Sequence, residues 1–218
     1  GMLEQAHVDR KKVRFIIKDT NRSWMRDSGP IIVKGPAGRR EALNFSFNGW
    51  AKYPNYKKDK GVSEAVASFL KIPLIPVMYN KKHVVLEGGA IDSNGCGTLL
   101  TTEECLLDKQ HQVRNPGFEK KDYENVFREY LGISNVIWLG EGIEGDDTHG
   151  HVDDVCRFVN RNTVVAASET NLRDKNCKKL EENIERLQNA RLENGEKLNV
   201  VTIQMPGRLE FEDLRLPA

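Results

Sequence analysis

The sequence carries almost no net charge: 33 Lys and Arg against 32 Asp and Glu leave +1 at neutral pH over 218 residues. A polyanionic partner such as nucleic acid therefore has no electrostatic support. No apolar run approaches the length that spans a bilayer, so no membrane partner is expected. The opening GMLEQAHVDRKK lacks the apolar core of a signal peptide. Cysteine is scarce. Its four copies, Cys96, Cys105, Cys156 and Cys177, are irregularly spaced and form no CxxC pair. That argues against a disulfide framework and reads as reduced thiols in a cytoplasmic protein. What is present, 39% apolar and 30% charged residues, suits a globular chain rather than a disordered or fibrous one.

One structural unit reads through three times. Apolar, β-branched runs at Ile31–Val33 and Leu43–Phe47 flank KGPAGRRE, a turn-rich hairpin signal. Helical spacing follows over about Val62–Leu70, with Val62, Ala65, Val66 and Phe69 on one face, and Leu74–Tyr79 closes the unit as a strand. The order recurs with Val84–Glu87 and Thr98–Thr102 about IDSNGCG, a helix over about Asp122–Leu131 and the strand Val136–Leu139. It recurs again with Val155–Val159 and Thr163–Ala167 joined by NRN, a helix within Asp174–Leu192, and Val200–Met205. Hairpins interrupt the strand–helix alternation of a doubly wound sheet, so a curved or closed stack of strand–strand–helix–strand units is expected. The units run over about 31–79, 84–139 and 155–205, within one α/β domain covering 1–218. Val13–Ile17 reads as the closing strand of a preceding unit, and RLPA stops where a further unit would start, so the chain is expected to be truncated at both ends. Apolar faces left open by missing units, including Val164, Val165 and Val201, point to self-association as a homo-oligomer.

The densest chemical cluster is GDDTHGHVDD, Gly145–Asp154, in a loop between a closing strand and the next hairpin. A plain polar surface loop is one reading of it. A metal site on His149-x-His151-x-Asp153 is another, but no further histidine follows His151 to complete a ligand set. The third pairs His151 with Asp153: on an extended strand residues two apart face the same side, with Val152 turned into the core. No metal and no cofactor is expected. WMRDSGP (Trp24–Pro30) places an aromatic and Asp27 at the equivalent junction of the first unit, and LEGG (Leu86–Gly89) places Glu87 beside two glycines at the second. Singly, these are also read as ordinary turns. Together, Asp27, Glu87, Asp153 and His151 come from corresponding junctions of successive units and would converge near a common axis. Carboxylates with one imidazole suit a guanidinium, a planar permanent cation with five donors in a fork.

WMRDSGP, FNGW (Phe47–Trp50), LEGGAIDSNGCGTLLTTEECLL (Leu86–Leu107), RNP (Arg114–Pro116), IWLGEGIEGDDTHGHVDDVCRF (Ile137–Phe158) and RLPA, in this order, resemble the agmatine deiminase and bacterial-type peptidylarginine deiminase family. The resemblance implies the pentein fold, an α/β propeller of ββαβ units, of which this chain would hold part. It implies hydrolytic deimination: a cysteine attacks the guanidinium carbon of agmatine, ammonia leaves, and water releases N-carbamoylputrescine, a step toward putrescine. Asp27 and Asp153 resemble the carboxylates that grip the guanidinium, and His151 the general acid/base. Trp24 resembles the wall on which the substrate stacks, and Asp147 an acidic residue that meets the far amine. Glu87 carries no settled role. The family's nucleophile lies in a glycine-rich segment nearer its C-terminus than these residues reach. After Cys156 the only cysteine is Cys177, expected on the outer helix of the third unit, and Cys156 is expected in the core. Peptidyl-arginine as substrate, and a non-catalytic guanidinium binder, stand as alternatives. Asp147 leans the reading toward agmatine.

Overall fold

A computed structural model describes residues 1–217; of RLPA, Ala218 therefore lies outside the described residues. In chain order the elements begin with the short helices α1 (Met2–Gln5) and α2 (Met25–Ser28), then strands β1 (Ile31–Lys34) and β2 (Arg40–Asn44), helix α3 (Val62–Leu70) and strand β3 (Leu74–Pro76). The hairpin β4 (Met78–Tyr79) and β5 (Lys82–His83) leads to β6 (Asp92–Ser93), β7 (Thr98–Thr102), α4 (Glu103–Leu107), α5 (Lys120–Leu131) and β8 (Asn135–Leu139). Then follow β9 (Cys156–Phe158), β10 (Thr163–Ser168), α6 (Lys175–Asn189), β11 (Asn199–Gln204) and a final hairpin, β12 (Glu210–Phe211) with β13 (Leu214–Arg215).

Three sheets share one plan. In each, a hairpin supplies an antiparallel pair and its second strand also pairs in parallel with a third: β1-β2-β3, β6-β7-β8 and β9-β10-β11. A parallel partner requires a crossover, and α3, α5 and α6 provide it. The molecule is thus α/β, built of small mixed sheets, and among the described residues no strand ladder joins them into a closed barrel. Local chemistry ends the crossover helices. Lys71 caps α3 in the left-handed region at φ 53°, and Gly132 caps α5 at φ 67°. Asp174 starts α6 by accepting from the Asn176 amide, and the same carboxylate takes both Nη atoms of Arg215 at 2.9 Å, tying the last hairpin to the helix.

Four expectations are corrected. Val13–Ile17 forms no strand; Phe15 and Ile17 are 67% and 96% exposed and find no ladder partner among the described residues. The outer strand of the second hairpin is β6, not Val84–Glu87, because Asn94 folds the chain back tightly by accepting from the Cys96 and Thr98 amides. Val84–Glu87 pairs instead with the segment that follows β2, Val85 facing Ser46 in a single parallel bridge. Leu74–Tyr79 is broken after Pro76, and Asn80 and Lys81, both at positive φ, turn its end into the small β4–β5 hairpin. The face of α3 is rotated: Val62 and Ala67 are buried and Phe69 is 39% exposed.

The core lies in two clusters divided by β7, every residue of which is buried. Leu99 joins Tyr123, Val126 and Phe127 on one side, and Leu100 joins Leu180, Leu187 and Leu139 on the other, as the two-residue period of a strand requires. Cys156 belongs to the second cluster, as expected. Val164 is also buried there, so it is not part of an open face; Val201 and Ile203 are, at 45% and 60% exposed. Among the described residues no helix is long and apolar enough to cross a membrane. Leu180→Ala, at a site with no solvent exposure, is expected to destabilise the fold by about 2–5 kcal/mol in urea titration. Leu172→Ala, 89% exposed, is expected to change it by less than about 0.5 kcal/mol.

Candidate active site

The first junction is a single helical turn that carries Asp27 inward. Its carboxylate is buried, with Oδ2 accepting from Trp50 Nε1 at 3.0 Å and Oδ1 from the Gly89 amide at 3.0 Å. FNGW explains the first contact: Gly49, Trp50 and Ala51 all have positive φ, and Asn48 Oδ1 caps the turn on the Ala51 amide. This tight reversal aims the indole at Asp27. LEGG explains the second, because a Cβ on Gly89 would sit 2.4 Å from His151 Nδ1 and 2.9 Å from Asp27 Oδ1. Only glycine lets the backbone come this close. Burial pushes the Asp27 carboxyl above its ordinary range, and the nearby His151, the Gly89 amide and Trp50 only partly offset that. A carboxylate held in this state gains from a cationic partner.

The loop 145–154 is wound around one side chain. Asp146 accepts from the Thr148, Gly150 and His151 amides at 2.7, 2.7 and 3.1 Å. His149, at φ 64°, turns away from the cleft, its Nε2 2.8 Å from Asp108 and its Nδ1 3.6 Å from Glu104. His149, His151 and Asp153 therefore do not converge on one point. Val152–Asp154 is a 3-10 turn closed by the Val155 amide, not an extended strand. The turn still leaves Val152 fully buried and sets His151 Nδ1 3.9 Å from Asp153 Oδ1.

His151 sits between carboxylates. Nδ1 is 3.9 Å from Asp27 Oδ1, and Nε2 is 3.8 Å from Glu87 Oε2. These are ion-pair separations, longer than hydrogen bonds. Burial works against the imidazolium, but Glu87 and then Asp27 outweigh it, and the pKa of His151 is raised. Glu87 is wholly buried and holds Arg114 Nε at 3.2 Å on Oε1. Burial opposes its charge; Arg114 and His151 prevail and lower its pKa. Arg114 also donates to the Gln112 and Thr148 carbonyls, while Asn115 clasps both polar groups of Val85 at 2.9 and 2.8 Å. The roles of Trp50 and Arg114 were not read from the sequence, although FNGW and RNP contain them.

A cleft of about 450 Å³ collects Trp24, Asp27, Asp147, His151 and Asp153, five of the six expected residues, with Trp50 and Tyr53 on its wall. Glu87 is not in the cleft but behind His151. Trp24 is 63% exposed at the rim. Asp153 is met by Arg26 Nε at 3.4 Å. Asp147 is already engaged by Lys52 and by Tyr53, whose hydroxyl donates at 2.6 Å; burial opposes its charge, but these two bonds hold its pKa down. Asp154 is pushed up to about 6 by burial of its carboxyl and by Asp146 and Asp153, although the residue as a whole is surface-exposed. A planar cation entering beside Trp24 would meet the carboxylates of Asp27 and Asp153, each 3.9 Å from Nδ1 of His151.

Comparison with known proteins agrees. The family model for Porphyromonas-type peptidyl-arginine deiminase matches residues 2–218, and the chain belongs to that family. The agmatine deiminase of Stutzerimonas stutzeri is 34% identical over 214 residues, 96% of this chain and 56% of that relative. The agmatine deiminase of Pseudomonas syringae pv. tomato is 33% identical, over 94% of this chain and 55% of its own length. A Cys-to-Ser variant of the C. jejuni agmatine deiminase with substrate bound superposes with TM-score 0.84 at 32% identity, covering 99% of this chain and 61% of that one. The chain spans about half the length of the curated relatives it matches.

The loop's anchor can be tested by pH. Burial opposes the charge on Asp108, but the Gln110 and His111 amides and His149 outweigh it, and its pKa is lowered. The stability it contributes is present above its ordinary 3.8 and is lost as pH falls through its depressed folded value. Asp108→Asn is expected to flatten that acid limb in thermal unfolding followed from pH 5 to pH 2. An unchanged limb would show that the clamp on His149 carries no stability.

Proposed function

We propose that this chain carries the guanidinium-binding and proton-transfer half of an agmatine deiminase site. The observation that carries the reading is Nδ1 of His151 3.9 Å from both Asp27 Oδ1 and Asp153 Oδ1 in a cleft lined by Trp24. Asp27 and Asp153 take the N–H donors of the guanidinium, and Trp24 covers its face. The resulting reaction is acyl-transfer-like. A thiolate adds to the guanidinium carbon, the imidazolium of His151 gives a proton to the departing nitrogen, and ammonia leaves a thiouronium. Water then adds, His151 takes its proton, and the C–S bond breaks to give N-carbamoylputrescine. The similarity to agmatine deiminases supports this substrate; the engagement of Asp147 by Lys52 and Tyr53 favours, as a second reading, a substrate without a free amine, such as peptidyl-arginine.

None of the four thiols fits the nucleophile. Cys96 is exposed and outside the cleft. Burial raises Cys105, and burial pushes Cys156 up to about 12, against the need for a thiolate. Cys177 is buried in the first turn of α6 and packs with that helix, outside the cleft. The attacking thiolate therefore comes, on this reading, from outside these 218 residues.

The 218 residues alone are expected to release no ammonia from agmatine; turnover that disappears in Cys177→Ser would make Cys177 the nucleophile and overturn the assignment. A guanidinium ligand is expected to bind all the same. Asp27→Asn should weaken it by about 3–5 kcal/mol, the cost of breaking one side of a buried ion pair. Asp153→Asn should act in the same direction, and His151→Ala should cost less than either, because an imidazole adds no attraction for a cation. Calorimetry on the three variants checks the order, and equal losses would count against the carboxylate grip.

A further inference from the structure

Behind the cleft, Glu87, Cys105 and His151 converge from three separate segments: the loop after β5, helix α4, and the loop before β9. One donor atom from each lies within 4.8 Å of the other two, and all three residues are buried, at 0%, 2% and 3% exposure. One atom on each of two of those side chains makes no hydrogen bond. Glu87 Oε2 and His151 Nε2 are buried, make no hydrogen bond, and stand 3.8 Å apart. Arg114 occupies only the other oxygen of Glu87. Buried polar atoms normally find partners, so a matched donor set aimed at one point without them is what a ligand site looks like.

We propose that Glu87, Cys105 and His151 form a binding site for one Zn²⁺-type divalent cation. Thiolate, imidazole and carboxylate are the ligand types of zinc, and bonds of about 2.0–2.3 Å in a tetrahedron set donors roughly 3.3–3.8 Å apart. The Glu87–His151 separation of 3.8 Å is within about half an ångström of the ~3.3–3.4 Å that an oxygen and a nitrogen ligand require, and Cys105 needs to close by about an ångström. On binding, the S–H bond of Cys105 and, in the imidazolium, the Nε2–H bond of His151 break, both protons pass to solvent, and metal–sulfur and metal–nitrogen bonds form. Carboxylate and thiolate match the two charges of the ion, and Arg114, on the other oxygen of Glu87, leaves the cluster with one net positive charge. His151 then binds through Nε2 and keeps its proton on Nδ1, the atom facing Asp27 and Asp153. The metal thus withdraws one nitrogen of the imidazole from proton transfer, which makes the site inhibitory rather than catalytic.

Cobalt titration of the whole chain in reducing, metal-free buffer tests this. One equivalent of Co²⁺ is expected to produce a sulfur-to-cobalt band in the near ultraviolet with tetrahedral bands in the visible, both abolished by Zn²⁺. Cys96→Ser and Cys177→Ser should leave the spectrum intact. Cys105→Ser should remove the near-ultraviolet band, and Glu87→Gln should weaken Zn²⁺ binding by at least about tenfold, the least that loss even of an outer partner costs. Because Cys105 is in the core, a variant retaining it as the sole cysteine (Cys96→Ser, Cys156→Ala, Cys177→Ser) supplies the converse test and should keep the band. Absence of the band in the unaltered chain, its persistence in Cys105→Ser, or its loss in the folded variant with Cys105 alone would overturn the site.

Discussion

Charge enclosed away from water governs this molecule. Asp27, Glu87, Arg114 and His151 are each at most 7% exposed, and each ionised form persists only because another stands beside it. Arg114 compensates Glu87, Glu87 favours the imidazolium of His151, and Asp27 depends on amide and indole donors that do not cancel its burial. The chain that carries these groups has to approach closely at several places, which is why glycine stands at 89 and why Trp50 is turned inward by a left-handed bend. Removing one member would leave the others as unpaired buried charge.

The frame supplies that enclosure by repetition. Each three-stranded sheet sends a loop from a closing strand toward the next hairpin, and the second sheet is buried on both faces because β7 separates two apolar clusters. Its neighbours are thereby placed with their junctions toward a common side. Glu87 reaches this side by the bridge of Val85 to Ser46, in the segment after β2, and the Asp146-wrapped loop delivers His151 from the other direction.

The site faces two ways. Toward the cleft, Nδ1 of His151 looks at Asp27 and Asp153. Toward the interior, Nε2 looks at Glu87 and lies near Cys105. One imidazole thus faces an open cleft through one nitrogen and buried Glu87 through the other, so a ligand taken up on the buried side would act on the proton available in the cleft. The engagement of Asp147 by Lys52 and Tyr53 adds a second control at the mouth, because a substrate amine would have to displace donors already in place.

The sequence by itself determined the order of elements, since hairpin signals and helical periodicity are local and each unit repeats them; the three crossover helices and the strands of the first and third hairpins lie close to where spacing puts them. It also singled out Asp27, Asp147, His151 and Asp153, which line one cleft, although taken singly their motifs also read as turns or a polar loop and Asp147 is reached only through the family resemblance. The tertiary structure decided what local pattern does not encode. Val13–Ile17 has strand composition but no ladder partner among the described residues, and Val84–Glu87 is taken by a bridge to the segment after β2, because a strand exists only where a second one pairs with it. Glu87 was drawn behind His151 rather than into the cleft, and Arg114, Trp50 and Cys105 acquired their roles only through contacts across 27, 23 and 46 residues of sequence. Such pairings depend on where burial brings distant segments together, and no periodicity within one segment carries that information.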